Sequence, residues 1–327
     1  MLKPMSLNAA LFAGRVNFIA GFAAASGKTM LAKAILALLR EKGLKCALIS
    51  AGYEGGGREP AGAPTLKMPS SEMPTFEVEK GEVFSTAANA LPFLDCMPEL
   101  IAGPVGSSAL GPIVLARAER SGSAILAGPA RSEALATLVE AARHLRGIDA
   151  VIIDGTLDRL TQISVLPDPQ LYCAVRADRA DCQQIAKRMA TFYQLVHLPK
   201  WDASRAREGE ALIFEGALSS ATLEKHRSTR DIPILIKDIT RVFLRPDEIA
   251  SLSARGRLFI QQEISFRGFV VALRDIEPEE FMFYLPHDVA DSILSWNPYE
   301  HEEGSRFAQQ AQAADIGRSA RYKRGDV

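Results

Sequence analysis

A chain of 327 residues with 47% apolar content is long enough to bury a full core, and its length fits two domains or one large domain with an appended piece. A formal net charge of −1 supplies no overall basic field, so neither nucleic acid nor an anionic membrane is an expected partner. The apolar runs fall short of the ~20 residues that span a bilayer and the N-terminus lacks a signal-peptide pattern, which makes the cytoplasm the expected location.

Read in chain order, strand-like runs alternate with helical stretches. "RVNFIAG" (Arg15 to Gly21), a helix from Lys28 to about Lys42, and "KCALIS" (Lys45 to Ser50) form one βαβ unit. The Gly/Pro-rich stretch from Ala51 to Gly81 reads as a long loop. The pattern resumes with "SAILAGPA" (Ser123 to Ala130), a helix from Ser132 to Leu145, "DAVIIDG" (Asp149 to Gly155), "LYCAVRA" (Leu171 to Ala177) and a helix from Asp181 to Leu195. "EALIFEGAL" (Glu210 to Leu218) and "IPILIKDITRVFL" (Ile232 to Leu244) offer further strands for the same sheet. Continuous β-branched runs suit strands covered on both faces, and the βα alternation predicts an α/β fold, a doubly wound and mostly parallel sheet. After Arg245 the texture changes. Residues 1–245 are therefore expected to form the main α/β domain and 246–327 a smaller C-terminal α+β extension, polar at its end.

The chemistry-bearing stretch is "GFAAASGKTM", Gly21 to Met30. It follows a strand and opens a helix, which is where a phosphate-cradling loop has to sit. Backbone N–H groups at a helix N-terminus point outward, and the macrodipole there favours anions. Gly27 admits close backbone approach, Lys28 is expected on the β- and γ-phosphates, and the Thr29 hydroxyl on Mg²⁺. Gly21, Ser26 and Met30 complete the expected binding set. The strict phosphate-loop pattern has four residues between its glycines, whereas Gly21 and Gly27 enclose five. A tight strand-to-helix turn packed with small residues is the alternative reading.

A Mg²⁺-dependent phosphate site also needs an acidic residue at the end of a neighbouring strand. "VIIDGTLDR" supplies Asp154, with Asp158 and Arg159 close behind; a turn carboxylate is the competing reading. Glu54, just beyond the "ALIS" strand, is placed to face the same crevice as a second Mg²⁺ ligand or a water-positioning base, with Arg58 beside it; a solvated loop carboxylate fits equally. The five histidines share no short spacing, and the four cysteines form no C-x-x-C pair. Cys46 and Cys173 lie in apolar runs and are expected to be buried thiols. Without a guanine-reading N-K-x-D motif, ATP is the expected nucleotide.

The G-x-x-x-x-x-G-K-T spacing at Gly21, Gly27, Lys28 and Thr29 resembles dethiobiotin synthetase and its relatives among the P-loop NTPases. A narrower resemblance is to the P-loop ATPase subunit of the reactivating factor for lysine 5,6-aminomutase. It is carried by "GFAAASGKT", "ISAGYEGG", "TFEVEKGEVFSTAANAL", "LAGPARSEAL", "VIIDGTLDR" and "NPYEHEEGSRF", in order from Gly21 to about Phe307. The chain departs from that family after the second strand, where Tyr53, Glu54, Gly55 and Gly56 replace an Arg-Asp-Gly-Glu cluster; this bears on hydrolysis more than on binding. The resemblance implies ATP-driven reactivation of a cobalamin-dependent aminomutase, alongside a second reactivase subunit. The alternatives are an ATP-dependent ligase of the dethiobiotin synthetase or cobyrinate amidase type, and a nucleotide-binding regulator that does not hydrolyse.

Overall fold

The computed structural model describes residues 5–23, 25–51, 75–202, 211–226 and 232–295. A short β1 (Met5–Ser6) precedes β2 (Val16–Gly21), α1 (Lys28–Arg40) and β3 (Cys46–Ser50). Six further strands follow: β4 (Thr75–Val78), β5 (Val83–Ala87), β6 (Pro98–Ala102), β7 (Ser107–Ser108), β8 (Gly111–Ala118) and β9 (Gly122–Ile125). The helical pattern then returns with α2 (Ser132–Arg143), β10 (Ala150–Thr156), β11 (Pro169–Asp178) and α3 (Cys182–Val196). Beyond these come β12 (Leu212–Phe214), β13 (Leu218–Ser219), α4 (Ser220–Lys225), β14 (Ile234–Ile236), β15 (Val242–Phe243), α5 (Pro246–Ala254) and β16 (Leu258–Ile260). The described part ends with β17 (Ser265–Arg274), α6 (Pro278–Phe283), α7 (His287–Asp291) and β18 (Ile293–Ser295).

Eleven strands form one sheet in the order β1-β18-β17-β11-β2-β10-β3-β5-β8-β6, with β7 paired to β8. From β1 to β5 along that order every pairing is parallel. The β8 pairings with β5, β6 and β7 are antiparallel and make a mixed edge. The fold is therefore α/β with a large, mostly parallel central sheet.

Helices cover both faces. Leu31, Ile35, Leu36 and Leu39 of α1 share one apolar cluster with Ile19, Ile152 and Tyr172, while Leu135 and Leu138 of α2 and Ile185 and Met189 of α3 share the other with Phe18, Ile153 and Cys173. Successive strand residues point to opposite faces, so central strands covered on both sides are apolar along most of their length. The four α1 side chains are at most 2% exposed, and burial of each contributes about 1.5–3 kcal/mol. The helix ends where Gly43 turns left-handed at φ 69°, a conformation that favours glycine. Cys46 and Cys173 are buried as expected. Burial, reinforced by Glu82, pushes the Cys46 thiol up to about 12, and burial alone raises that of Cys173.

Several expectations are corrected. The runs around Leu212 and Ile234 stay out of the central sheet: β12, β14 and β16 form a separate three-stranded sheet, and β13 pairs with β15. The "SAILAGPA" run yields β9, which pairs antiparallel with β4 away from the parallel array, and β4 itself lies in the stretch read as loop. These runs are apolar enough for strands, but their partners are chosen by tertiary packing that periodicity does not encode. Of the stretch beyond Arg245, β17 and β18 are strands of the central sheet, with β17 running alongside β11 from Ser265 to Arg274.

Candidate functional site

The parallel strands β2, β10, β3 and β11 deliver their carboxyl ends to one edge. Register places Asp154 beside both Ile19 and Ser50, and Gly21 beside both Thr156 and Ala174. Ligands in open α/β sheets bind outside such ends. The chain leaves β2 at Gly21 and re-enters regular structure at Lys28, so the loop faces the carboxyl end of β10.

Loop geometry explains the residue types. A Cβ built on Gly21 would stand 2.6 Å from Ser26 Oγ and 3.0 Å from Lys28 Cδ. The loop folds back so closely over the strand end that a side chain there would have to displace those of Ser26 and Lys28. Gly27 is needed for a different reason: its surroundings are open, but its φ of 84° is left-handed. Ala25 takes φ 56°, a conformation that costs a residue with a Cβ about 1–2 kcal/mol. Such outliers concentrate at ligand-holding loops.

Two loop side chains converge on Asp154. Lys28 Nζ lies 3.5 Å from Oδ1, and the Thr29 hydroxyl donates to Oδ2 at 3.4 Å. Both separations are long for charge-assisted contacts. The Lys28 and Asp154 side chains are 16% and 14% exposed, so the cluster is sheltered yet reachable. The first N–H groups of α1 have no intrahelical acceptor, Gly27 provides no side-chain cap, and the first turn carries no acidic residue. Ser26 Oγ, at a residue 3% exposed, has no hydrogen-bond partner among the described residues. These donors and the orphaned hydroxyl fit an anion bearing oxygen atoms, and the Thr29–Asp154 pair fits a hard cation such as Mg²⁺.

The structure thus brings together Gly21, Ser26, Gly27, Lys28, Thr29 and Asp154. Met30 is half-buried as the third residue of α1. Glu54 and Arg58 lie outside the described residues, as do the side chains of Asp158 and Arg159. Arg188 of α3 was not singled out by sequence reasoning: its Nη2 donates to the Phe22 carbonyl at 3.0 Å. Its only sequence signal is its position four residues before Phe192 on one face of a predicted helix. Arg176, at the carboxyl end of β11 and ion-paired with Asp178 at 3.3 Å, was also missed.

Among the described residues no three His, Cys, Asp or Glu side chains group as metal ligands, and no helix is long and apolar enough to cross a membrane. Set against known proteins, the chain matches no family model, no curated protein and no solved structure.

Proposed function

We propose that this chain is a P-loop nucleotide-binding protein that takes MgATP at the carboxyl edge of β2 and β10 and hydrolyses it. The observation that carries the reading is the convergence of Lys28 and Thr29 on Asp154 above a glycine whose Cβ space is already filled. A simple strand-to-helix turn requires neither the left-handed Gly27 nor a buried Ser26 hydroxyl without a partner among the described residues.

Bound Mg²⁺ would supply charge neutralisation for the transferred phosphoryl group. Thr29 and Asp154 are the groups that would hold it, directly or through water. Lys28, now directed at Asp154, has the reach to turn its ammonium to a phosphate oxygen, exchanging one anionic partner for another. The α1 amides of Lys28, Thr29 and Met30 would donate to the remaining oxygens. Glu54 is assigned the water-positioning role from its place after β3.

The family resemblance gives the partner class: a cobalamin-dependent aminomutase, with a second reactivase subunit, in which loops held by nucleotide release on hydrolysis. Phosphate release from MgATP, assayed for the chain alone and with an inactivated adenosylcobalamin-dependent aminomutase, tests this. Slow basal turnover accelerated by the partner is expected. Binding without turnover in either case would leave the regulator reading, and turnover only with an added small carboxylic acid would favour the ligase reading.

A further inference from the structure

Phe22 stands where the loop leaves β2, and its ring and amide are both held. Its N–H donates to the Ala174 carbonyl at 2.9 Å, prolonging the β2–β11 ladder by one step. Its ring meets Phe192 and Phe269 edge-on, with centroids 5.8 and 6.0 Å away. The remaining handle is its carbonyl, which accepts from Arg188 Nη2 at 3.0 Å while the guanidinium carbon lies 5.0 Å from the ring centroid. Arg188 and Phe192 are one turn apart on α3, so one helix face supplies both the cation and an aromatic wall.

The direction of that carbonyl matters. Carbonyl oxygens carry the negative end of the peptide dipole, and an anion cradle works only when N–H groups, not C=O groups, line it. Helix α3 packs on the sheet face opposite α1. A Phe22 carbonyl bonded to α3 is therefore turned away from the α1 N-terminus. Holding a long, exposed side chain in one geometry sacrifices rotamer entropy, which the paired hydrogen bond and cation–π contact offset.

We infer that Arg188 is a positioning residue of the phosphate loop, holding the Phe22 carbonyl toward α3 so that the loop presents donors to the anion. The inference rests on the nucleotide reading above. It assigns Arg188 no contact with the reacting atoms.

The test is calorimetric titration of MgATP into wild type, Lys28→Ala, Arg188→Met and Arg188→Lys, with the thermal midpoint of each protein measured without nucleotide. Arg188→Met removes donor and charge at similar length, and its Kd is expected to rise about tenfold, the scale of one charge-assisted hydrogen bond. Arg188→Lys keeps an ammonium donor and is expected to recover most of the affinity. Both midpoints should stay near wild type because Arg188 is exposed. Wild-type affinity in Arg188→Met, beside loss in Lys28→Ala, would overturn this inference alone. A wild type that does not bind MgATP would overturn the nucleotide reading and the inference with it. A fall in midpoint shared by both Arg188 variants, with affinity kept in whichever folds, would make the arginine structural and overturn the positioning role. Should Arg188→Met fail to fold, Arg188→Ala, which also removes the donor, is expected to bind between wild type and Lys28→Ala; wild-type affinity there would likewise overturn the positioning role.

Discussion

The two ends of α1 handle charge in opposite ways. At its C-terminal end Arg40 grips Glu82 with two hydrogen bonds, Nε to Oε1 at 2.9 Å and Nη2 to Oε2 at 2.6 Å. The Glu82 side chain is 2% exposed, and it also accepts from the Glu79 amide at 2.8 Å. At its N-terminal end Lys28 and Thr29 meet Asp154 at 3.5 and 3.4 Å, beside the Ser26 hydroxyl that has no partner among the described residues. The first cluster is short and closed around a buried Glu82 carboxylate, which is what a structural tie between α1 and the β4–β5 turn requires. The second is long and partly open, and its groups have hydrogen-bonding capacity beyond the contacts they make with one another. A buried pair is weak evidence for function because breaking it mainly strands a charge. A loosely closed cluster beside a helix N-terminus can exchange its internal contacts for a ligand at small loss.

If the contrast is right, substitutions at the two ends should separate stability from binding. The largest effect is expected for Glu82→Ala, which removes both Arg40 hydrogen bonds to the buried carboxylate and the acceptor of the Glu79 amide and should destabilise the fold by about 3 kcal/mol; a denaturant midpoint unchanged from wild type would remove the distinction. Next comes Lys28→Ala, expected to leave the midpoint intact and weaken MgATP binding about a hundredfold, in keeping with a charge-assisted contact in a sheltered site. Gly21→Ala should follow, because its methyl would collide with Ser26 Oγ and crowd Lys28 Cδ; a loss of affinity about tenfold with a small stability loss is expected from the local displacement. The smallest effect concerns the thiols. The Cys46 and Cys173 ionisations are raised by burial, so neither should react with a thiol reagent at pH 8 in the native state. Sign follows from linkage: the folded Cys46 stays protonated up to about 12, so its contribution to stability is full below the ordinary thiol range near pH 9 and is lost as pH rises from there toward 12. Alkaline unfolding midpoints of wild type and Cys46→Ser should converge if that thiol is the titrating group.

Legibility followed the range of the interactions involved. The β2–α1–β3 unit, α2, β10, β11 and α3 were readable because each is a continuous apolar or 3.6-periodic run with glycine or acidic punctuation at its ends. The loop was readable because Gly21, Gly27, Lys28 and Thr29 are chemically specific and local. Asp154 was readable because an acidic residue ends an apolar strand. What escaped depends on pairing across the chain. Strands β5, β6 and β8 form an antiparallel edge whose outermost member exposes Glu99 and Leu100 side by side, so it shows no alternating pattern. The place of β17 next to β11 is fixed by apolar residues nearly a hundred positions apart, such as Cys173 and Phe269. Arg188 escaped for the same reason: its partner, the Phe22 carbonyl, is a backbone atom brought to it only by the sheet.

The most direct test of the account is calorimetric binding of MgATP to wild type and Lys28→Ala, with both proteins shown to unfold at the same midpoint. The account predicts saturable binding by wild type, dependent on Mg²⁺, and loss of nearly all of it on removal of the ammonium. Equal heats for the two proteins, or none for either, would contradict it and leave the Gly21–Thr29 loop as a strand-to-helix turn.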